Sequence, residues 1–160
     1  MRSQVDARHQ PCLDSASRYL SYRPRSELEV TRYLKRKGFD DSAIAEVLAE
    51  LREKRLVDDY AFAQFWKENR ESFSPRSQAM LRRELRSKGV ARQIADEMVV
   101  GVNEDGNAYR AAQRRASKLA QADYNVFRSK LASFLRQRGF GYEVIEHTVR
   151  RLWLEEVGNA

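Results

Sequence analysis

Cysteine, proline and glycine are scarce in this 160-residue sequence, and each scarcity excludes a class of fold. Cys12 is the single cysteine, which rules out an intramolecular disulfide framework and is typical of a reducing compartment. Three prolines and seven glycines are few for the many turns of a β-sandwich or barrel. The scarcity of turn residues therefore favours an all-α fold.

Long apolar runs are also missing. None approaches the roughly 20 residues that a membrane-spanning helix needs, and the first ten residues, MRSQVDARHQ, contain no apolar segment typical of a secretory signal. We therefore expect a cytoplasmic protein that makes no membrane contact. Charged residues make up 33% and hydrophobic residues 42% of the chain, which leaves enough apolar side chains for a folded core.

The residue patterns of common active sites are absent as well. His9 and His147 lie near opposite ends of the chain, and no spacing of histidine and cysteine is typical of zinc. No glycine-rich loop is followed by the lysine of a nucleotide-binding P-loop. The acidic pairs at 40–41 and 58–59 are better explained as helix caps than as catalytic carboxylates. The sequence therefore predicts no catalytic residue, no metal site and no cofactor, and a protein that is not an enzyme.

What the sequence does contain is a segment that occurs three times. It spans residues 24–39 (PRSELEVTRYLKRKGF), 75–90 and 125–140, and its glycines, Gly38, Gly89 and Gly139, are 51 and 50 residues apart. Apolar residues recur eight and four positions before each glycine: Val30 and Leu34, Leu81 and Leu85, Leu131 and Leu135. This spacing is typical of an amphipathic helix, and a glycine just after such a helix commonly forms its C-terminal cap.

Nine helices are predicted around these three segments. The first covers about 13–22, and the second begins at Ser26, where Glu29 would complete a capping box. Residues 1–10 are expected to be flexible, and the repeats to cover 11–57, 58–103 and 104–156. Because three helices bury little surface alone, we expect the helix-turn-helix-like units to stack into an elongated, curved array.

Aromatic residues concentrate in one predicted helix, at Tyr60, Phe62, Phe65 and Trp66. They could form a platform on which nucleic-acid bases stack, or they could pack in a core. Their helical spacing favours the core, so we expect Phe62, Phe65 and Trp66 to be mainly structural.

Basic residues exceed acidic ones by seven, and the excess is spread over the repeats as +3, +1 and +3. Such a surface favours an acidic partner, either nucleic acid or an acidic protein face. The candidate binding residues, here called the basic stripe, lie on or beside the three repeated helices: Arg25, Arg32, Lys35, Lys37, Arg76, Arg83, Arg86, Lys88, Arg136 and Arg138. The alternative is that the stripe is a solvated helix face whose last-turn cations complement the helix dipole.

Sequence-specific DNA reading by a helix-turn-helix is disfavoured. The helix that would enter the groove starts with Asp40 and Asp41 and continues with Glu46 and Glu50, which would face phosphates. The basic residues lie on the preceding helix instead.

Several segments together resemble a known family, the RecX regulatory proteins. The resemblance covers about residues 13–155 and is carried by PRSE at 24–27, RKGF at 36–39, Ile44, Val47, Leu48 and Leu51, LVDD at 56–59, Phe62, Ala63, Trp66, Arg70, PR at 75–76, REL at 83–85 and KGV at 88–90. It implies tandem three-helix repeats that bind the RecA recombinase filament along its groove and restrain it.

By this resemblance we expect a monomeric, non-enzymatic modulator of homologous recombination, DNA repair and the SOS response. Its partner would be the RecA filament, with weaker binding to single- or double-stranded DNA. Two alternatives stay open from the residues themselves: a basic helical DNA-binding module with its own target, and a helical scaffold unrelated to DNA.

Overall fold

The computed structural model describes residues 4–158, and within them the chain forms α-helices without β-strands. Nine helices follow one another: α1 Gln4–Leu20, α2 Glu27–Arg36, α3 Asp41–Glu53, α4 Asp59–Phe73, α5 Gln78–Ser87, α6 Arg92–Val99, α7 Glu104–Lys118, α8 Tyr124–Gln137 and α9 Tyr142–Gly158. The predicted all-α class and the nine helices in three groups are confirmed. The elongated, curved arrangement and the repeat boundaries stay predictions.

Helix α1 is longer than the sequence predicted. It begins at Gln4 rather than near residue 13, so residues 4–10, predicted as flexible, are helical, and residues 1–3 lie outside the described part. Two polar contacts, to Glu50 of α3 and to its N-cap Asp40, stabilise this additional part of the helix. His9 Nε2 lies 2.7 Å from Glu50 Oε2, and Arg8 Nη1 lies 3.4 Å from Asp40 Oδ2.

Each repeated segment ends its helix as predicted. Gly38, Gly89 and Gly139 have φ of 91°, 82° and 91°, a left-handed conformation that glycine adopts without a Cβ clash. In each case the amide after the glycine donates to the carbonyl five residues earlier, as Phe39 does to Leu34 at 3.2 Å. This bond and the glycine's own bond three residues back form a Schellman motif.

The first and third helix groups each enclose a hydrophobic core. In the first, Val30 and Leu34 from α2 pack with Ile44, Val47 and Leu51 from α3. In the third, small alanines of α7 admit the larger side chains of α8 and α9, among them Phe127, Leu131, Leu135, Ile145 and Leu152. The apolar residues that the glycine spacing predicted, eight and four positions before each glycine, are all buried.

The chain divides into two compact units whose boundaries fall within the middle helix group. The first unit comprises residues 4–66 and 85–95, and the second comprises residues 67–84 and 96–158. Helices α4, α5 and α6 therefore each contribute residues to both units.

The aromatic residues of α4 differ in burial along the helix. Phe62 is 1% exposed, whereas Phe65 and Trp66 are only partly buried, and Phe73 at the end of the helix is 82% exposed. The predicted structural role therefore fits Phe62 best. Phe65 and Trp66 are less enclosed because the core side of α4 is taken by Phe62 and Ala63, so a full-burial cost is expected of Phe62 rather than of Phe65.

Each unit contains one junction between successive repeats, built in a related way. In the first unit, Ser26 Oγ accepts from the Glu29 amide at 3.1 Å and donates to the Lys88 carbonyl at 2.7 Å. In the second unit, the Ser77 amide donates to the Arg138 carbonyl at 3.4 Å. The starts of α2 and α5 thus lie against the glycine turns that end α5 and α8, respectively.

Candidate partner-binding surface

At the first junction, the buried carboxylate of Glu29 forms ion pairs with three cations, two of which belong to the basic stripe. Glu29 is 8% exposed, and its carboxylate lies 2.7 Å from Arg23 Nη2, 3.6 Å from Arg25 Nη1 and 4.0 Å from Lys88 Nζ. The prediction that this carboxylate completes a capping box was wrong, because it is an ion-pair partner instead. The Trp66 ring lies close to two of the same cations, 5.7 Å from Arg23 Cζ and 5.1 Å from Lys88 Nζ.

The second junction repeats this arrangement with a different carboxylate. Glu84 lies 2.9 Å from Arg70 Nε and 3.2 Å from Arg76 Nε, the latter an ion pair without hydrogen-bond geometry. Burial lowers the pKa of Arg76, and the nearby positive charge of Arg70 lowers it further. Arg138 donates to Ser74 Oγ and lies with its Cζ 4.7 Å from the Phe134 ring.

The basic stripe therefore consists of two kinds of residue. Arg25, Arg76, Lys88 and Arg138 are partly buried at the junctions and contribute to the fold. Arg25 and Arg76 directly precede Ser26 and Ser77, whose hydroxyl groups cap α2 and α5, and this position brings both arginines to their carboxylates. The other six residues are exposed: Arg32, Lys35, Lys37, Arg83, Arg86 and Arg136.

Exposed cations recur at corresponding positions of the three repeated helices, α2, α5 and α8. Three residues before the glycine lie Lys35, Arg86 and Arg136, and six residues before it lie Arg32 and Arg83. Lys35 Nζ has a long contact of 3.7 Å with Asp41, and Arg86 Nη1 donates to the Val90 carbonyl at 2.8 Å. Among the described residues, Arg32, Arg83 and Arg136 have no ion-pair partner, so they are available to an external anion.

The acidic pairs cap helices, as the sequence predicted. Asp40 Oδ1 accepts from the Ala43 amide at 2.8 Å, and Asp58 Oδ1 accepts from the Tyr60 amide at 2.9 Å. Asp59 has a role that the sequence did not indicate, since its Oδ1 accepts at 2.9 Å from the Glu27 amide in the first turn of α2. Burial raises the pKa of Asp59.

Residues 4–158 contain neither a candidate metal site nor a candidate membrane-spanning helix. In this part of the chain no group of histidine, cysteine and acidic residues could hold a metal ion. None of the helices in the same residues has the length and apolar character that crossing a membrane requires.

Sequence reasoning missed a second basic site, on α7. Arg110, Arg114 and Arg115 line a groove of about 560 Å³ within the second unit, together with Arg138. The signal was present in RAAQRRASK at 110–118, where arginines four and five positions apart share one side of a helix. The search for residues phased with the three glycines passed over it, because α7 is the first helix of its group rather than the repeated one.

The junction geometry gives a testable consequence for stability. Replacing Glu29 by glutamine is expected to lower the free energy of unfolding by about 1–3 kcal/mol, since nearby cations would lose a largely buried counterion. Denaturant titration monitored by circular dichroism measures the change. The control is Glu53→Gln, an exposed glutamate at the end of α3, which should stay within about 0.5 kcal/mol of the parent. Equal effects of the two substitutions would refute the structural role of Glu29.

The fold and the surface together define a class: an all-helical protein of three tandem three-helix units with exposed cations on the repeated helix of each unit. Comparison with known proteins narrows this class. Family models described as the first, second and third three-helix domains of RecX match residues 12–51, 58–99 and 103–149. The chain belongs to the RecX family.

Individual relatives agree with this assignment. The regulatory protein RecX of Chlorobaculum tepidum is 36% identical over 144 residues, which cover 90% of this chain and 89% of the relative. The corresponding protein of Chlorobium limicola is 36% identical over 138 residues, 86% of this chain and 87% of its own. The crystal structure of RecX from Lactobacillus salivarius matches 91% of this chain and 96% of its own with a TM-score of 0.72, and at 22% identity it supports the fold.

Proposed function

We propose that this protein is a non-enzymatic, cytoplasmic regulator that binds the RecA–DNA filament and restrains its activity in homologous recombination, DNA repair and the SOS response. Membership of the RecX family supports a regulatory role, since the relatives are named regulatory proteins. The observation that carries the proposal is the recurrence of exposed cations at matching positions of the three repeated helices.

Cations at matching positions of successive repeats suit a target that itself repeats. A recombinase filament on DNA presents the same acidic groups and phosphates at every step, so each helix group could make one weak contact. Once the first contact forms, the others become intramolecular and act at high effective concentration, which raises the overall affinity without a strong single contact. The basic stripe would supply these contacts, with its exposed members touching the filament and Arg25, Arg76, Lys88 and Arg138 supporting the junctions beside them.

The proposal is tested by removing three exposed cations at once. Replacing Arg32, Arg83 and Arg136 by glutamine should leave the helical fold unchanged, because none of the three has an ion-pair partner among the described residues. Inhibition of the recombinase's ATPase should weaken. The slope of log affinity against log salt should become shallower by roughly one for each phosphate that the variant no longer binds.

A matched variant separates the position of the charges from their number. Replacing Arg18, Arg36 and Arg150 by glutamine removes the same amount of charge from exposed residues outside the basic stripe. If both variants lose inhibition equally, only net charge matters. Unchanged inhibition and salt slope in the first variant would mean that the filament is bound through another surface.

A binding comparison distinguishes the proposed function from the second candidate, a DNA-binding module with its own target. Binding is compared on naked single strand, on duplex and on a strand coated with RecA and ATP. The proposed function requires the coated strand to bind most tightly.

A further inference from the structure

The strongest feature that the proposed function leaves unused is the arginine-rich groove of the second unit. It lies between the end of α4 with the following loop, α7, and α8, and it encloses about 560 Å³, a size typical of ligand sites. Its rim carries four arginines: Arg110, Arg114, Arg115 and Arg138. Glu71 is the acidic residue among those that line it, and the Glu71 carbonyl accepts from Arg110 Nη1 at 2.9 Å.

These arginines lack the counterions that would neutralise them. Among the described residues none of the four lies within 4 Å of a carboxylate, although Glu84 attracts Arg138 from a greater distance. Burial lowers the pKa of Arg138, and the charges of Arg76 and Arg115 lower it further. The positive charge of Arg138 therefore has a cost in the free protein that an anion bound in the groove would relieve.

Aromatic surfaces accompany the charge. The Phe134 ring lies 4.3 Å from Arg115 Cζ and 4.7 Å from Arg138 Cζ, so it holds two guanidinium groups at the groove wall. Phe73 also lines the groove and is 82% exposed. Such exposure is unusual for a phenylalanine, because it leaves a large apolar ring in contact with water. A base could stack on Phe73 while neighbouring phosphates bind the arginines.

The basic surface continues beyond the groove. A second depression of about 370 Å³ is lined by Arg115, Lys118, Leu119 and Lys130, and Arg115 belongs to both. A single phosphate ion would occupy one depression only. Two adjoining depressions that share Arg115 form a continuous basic surface, which suits a polymer with several phosphates. An acidic peptide would match the charge of the groove but offers no base to stack on the exposed Phe73 ring. A duplex carries phosphates, but its bases are already stacked on one another and cannot stack on Phe73.

We infer that this groove binds a segment of single-stranded nucleic acid, with Arg114 and Arg115 contacting phosphates and Phe73 stacking on a base. The site lies outside the exposed stripe residues assigned to the filament. Binding at this site requires no recombinase, so the protein can bind an uncoated single strand directly.

The test uses the full-length protein and fluorescently labelled oligo-dT, with anisotropy measured over a range of salt. Replacing Arg114 and Arg115 together by glutamine should reduce the slope of log affinity against log salt by about 1.4, because each phosphate contact on a single strand contributes about 0.7. The control is the Arg18→Gln, Arg150→Gln double variant, in which two exposed arginines elsewhere are changed. It should keep the parent slope.

A second variant tests the stacking independently of charge. Replacing Phe73 by alanine should weaken oligo-dT binding about 5- to 150-fold and leave the salt slope unchanged. Phe73→Trp should restore the affinity. An abasic oligonucleotide, which keeps phosphates but has no bases, should bind the parent and Phe73→Ala equally. Because Phe73 is exposed, the fold should survive, and thermal unfolding checks this.

Three results would overturn the inference: an unchanged slope in the Arg114, Arg115 double variant, an equal loss in its control, or tighter binding of poly-glutamate than of oligo-dT. The last would assign the groove to an acidic protein segment. Because the assay contains no recombinase, each of these results leaves the proposed filament binding untouched. Loss of filament binding in the Arg32, Arg83, Arg136 variant likewise leaves the groove untouched.

Discussion

Replacing Phe62 by alanine is expected to lower the free energy of unfolding by about 3–5 kcal/mol. The side chain is 1% exposed, and its ring lies 5.8 Å from that of Trp66. Truncation removes most of a buried aromatic ring and leaves a cavity that the helix backbone cannot fill. Urea titration followed by circular dichroism measures the loss, provided that the transition remains two-state.

Helix α4 supplies its own controls for this prediction. Phe65 is only partly buried, so Phe65→Ala should cost clearly less than Phe62→Ala, and Phe73→Ala should have almost no effect on stability. The expected order follows burial. If Phe62→Ala kept its stability but lost binding to DNA, the base-stacking interpretation of this residue would be correct and the structural one would fail.

Substituting alanine at Gly89 or Gly139 is the second change with a large expected effect, about 2–5 kcal/mol. A left-handed backbone costs a non-glycine residue roughly 1–2 kcal/mol, and overpacking adds about 1–3 kcal/mol. The overpacking arises because a Cβ at Gly89 would lie 2.6 Å from Leu28 Cβ, and one at Gly139 would lie 2.6 Å from Met80 Cβ.

Gly38 separates these two contributions. Its φ of 91° matches that of Gly139, but a Cβ there would meet nothing within 4 Å. Gly38→Ala should therefore show the backbone cost alone, and the difference between it and the other two measures the close approach at the junctions. Equal losses at all three glycines would mean that the surroundings of Gly89 and Gly139 relax, and that the junctions are loosely packed.

The helices were predictable because their determinants are local. The spacing of Val30, Leu34 and Gly38 indicates an amphipathic helix with a glycine cap wherever it occurs, and three occurrences confirmed one another. The buried residues Leu81, Leu85, Leu131 and Leu135 followed from the same periodicity. Such signals depend on neighbours within a few positions, so no knowledge of tertiary structure was needed.

The roles of the charged residues were less predictable because they depend on distant partners. Arg25 and Glu29 look like surface residues in the sequence, and only the approach of Lys88 and Trp66 at the first junction shows that they are enclosed. Likewise Ser74 and Arg138, which meet in the second unit, are 64 positions apart. The first turns of α1 were missed for the same reason, since Arg8 and His9 contact Asp40 and Glu50, which are more than 30 positions away.

The bond between Ser26 and the Lys88 carbonyl has a consequence for synthesis on the ribosome. Its two partners are 62 residues apart, so at about 5–20 residues per second the start of α2 waits roughly 3–12 s for its acceptor. The Ser77 amide waits similarly for Arg138. Helix α8, by contrast, is capped by Asp123, which accepts from the Val126 amide at 3.0 Å within its own group. We therefore expect the first two helix groups to stay incomplete at one end during translation until the following group emerges, whereas the start of α8 is complete as soon as it is made.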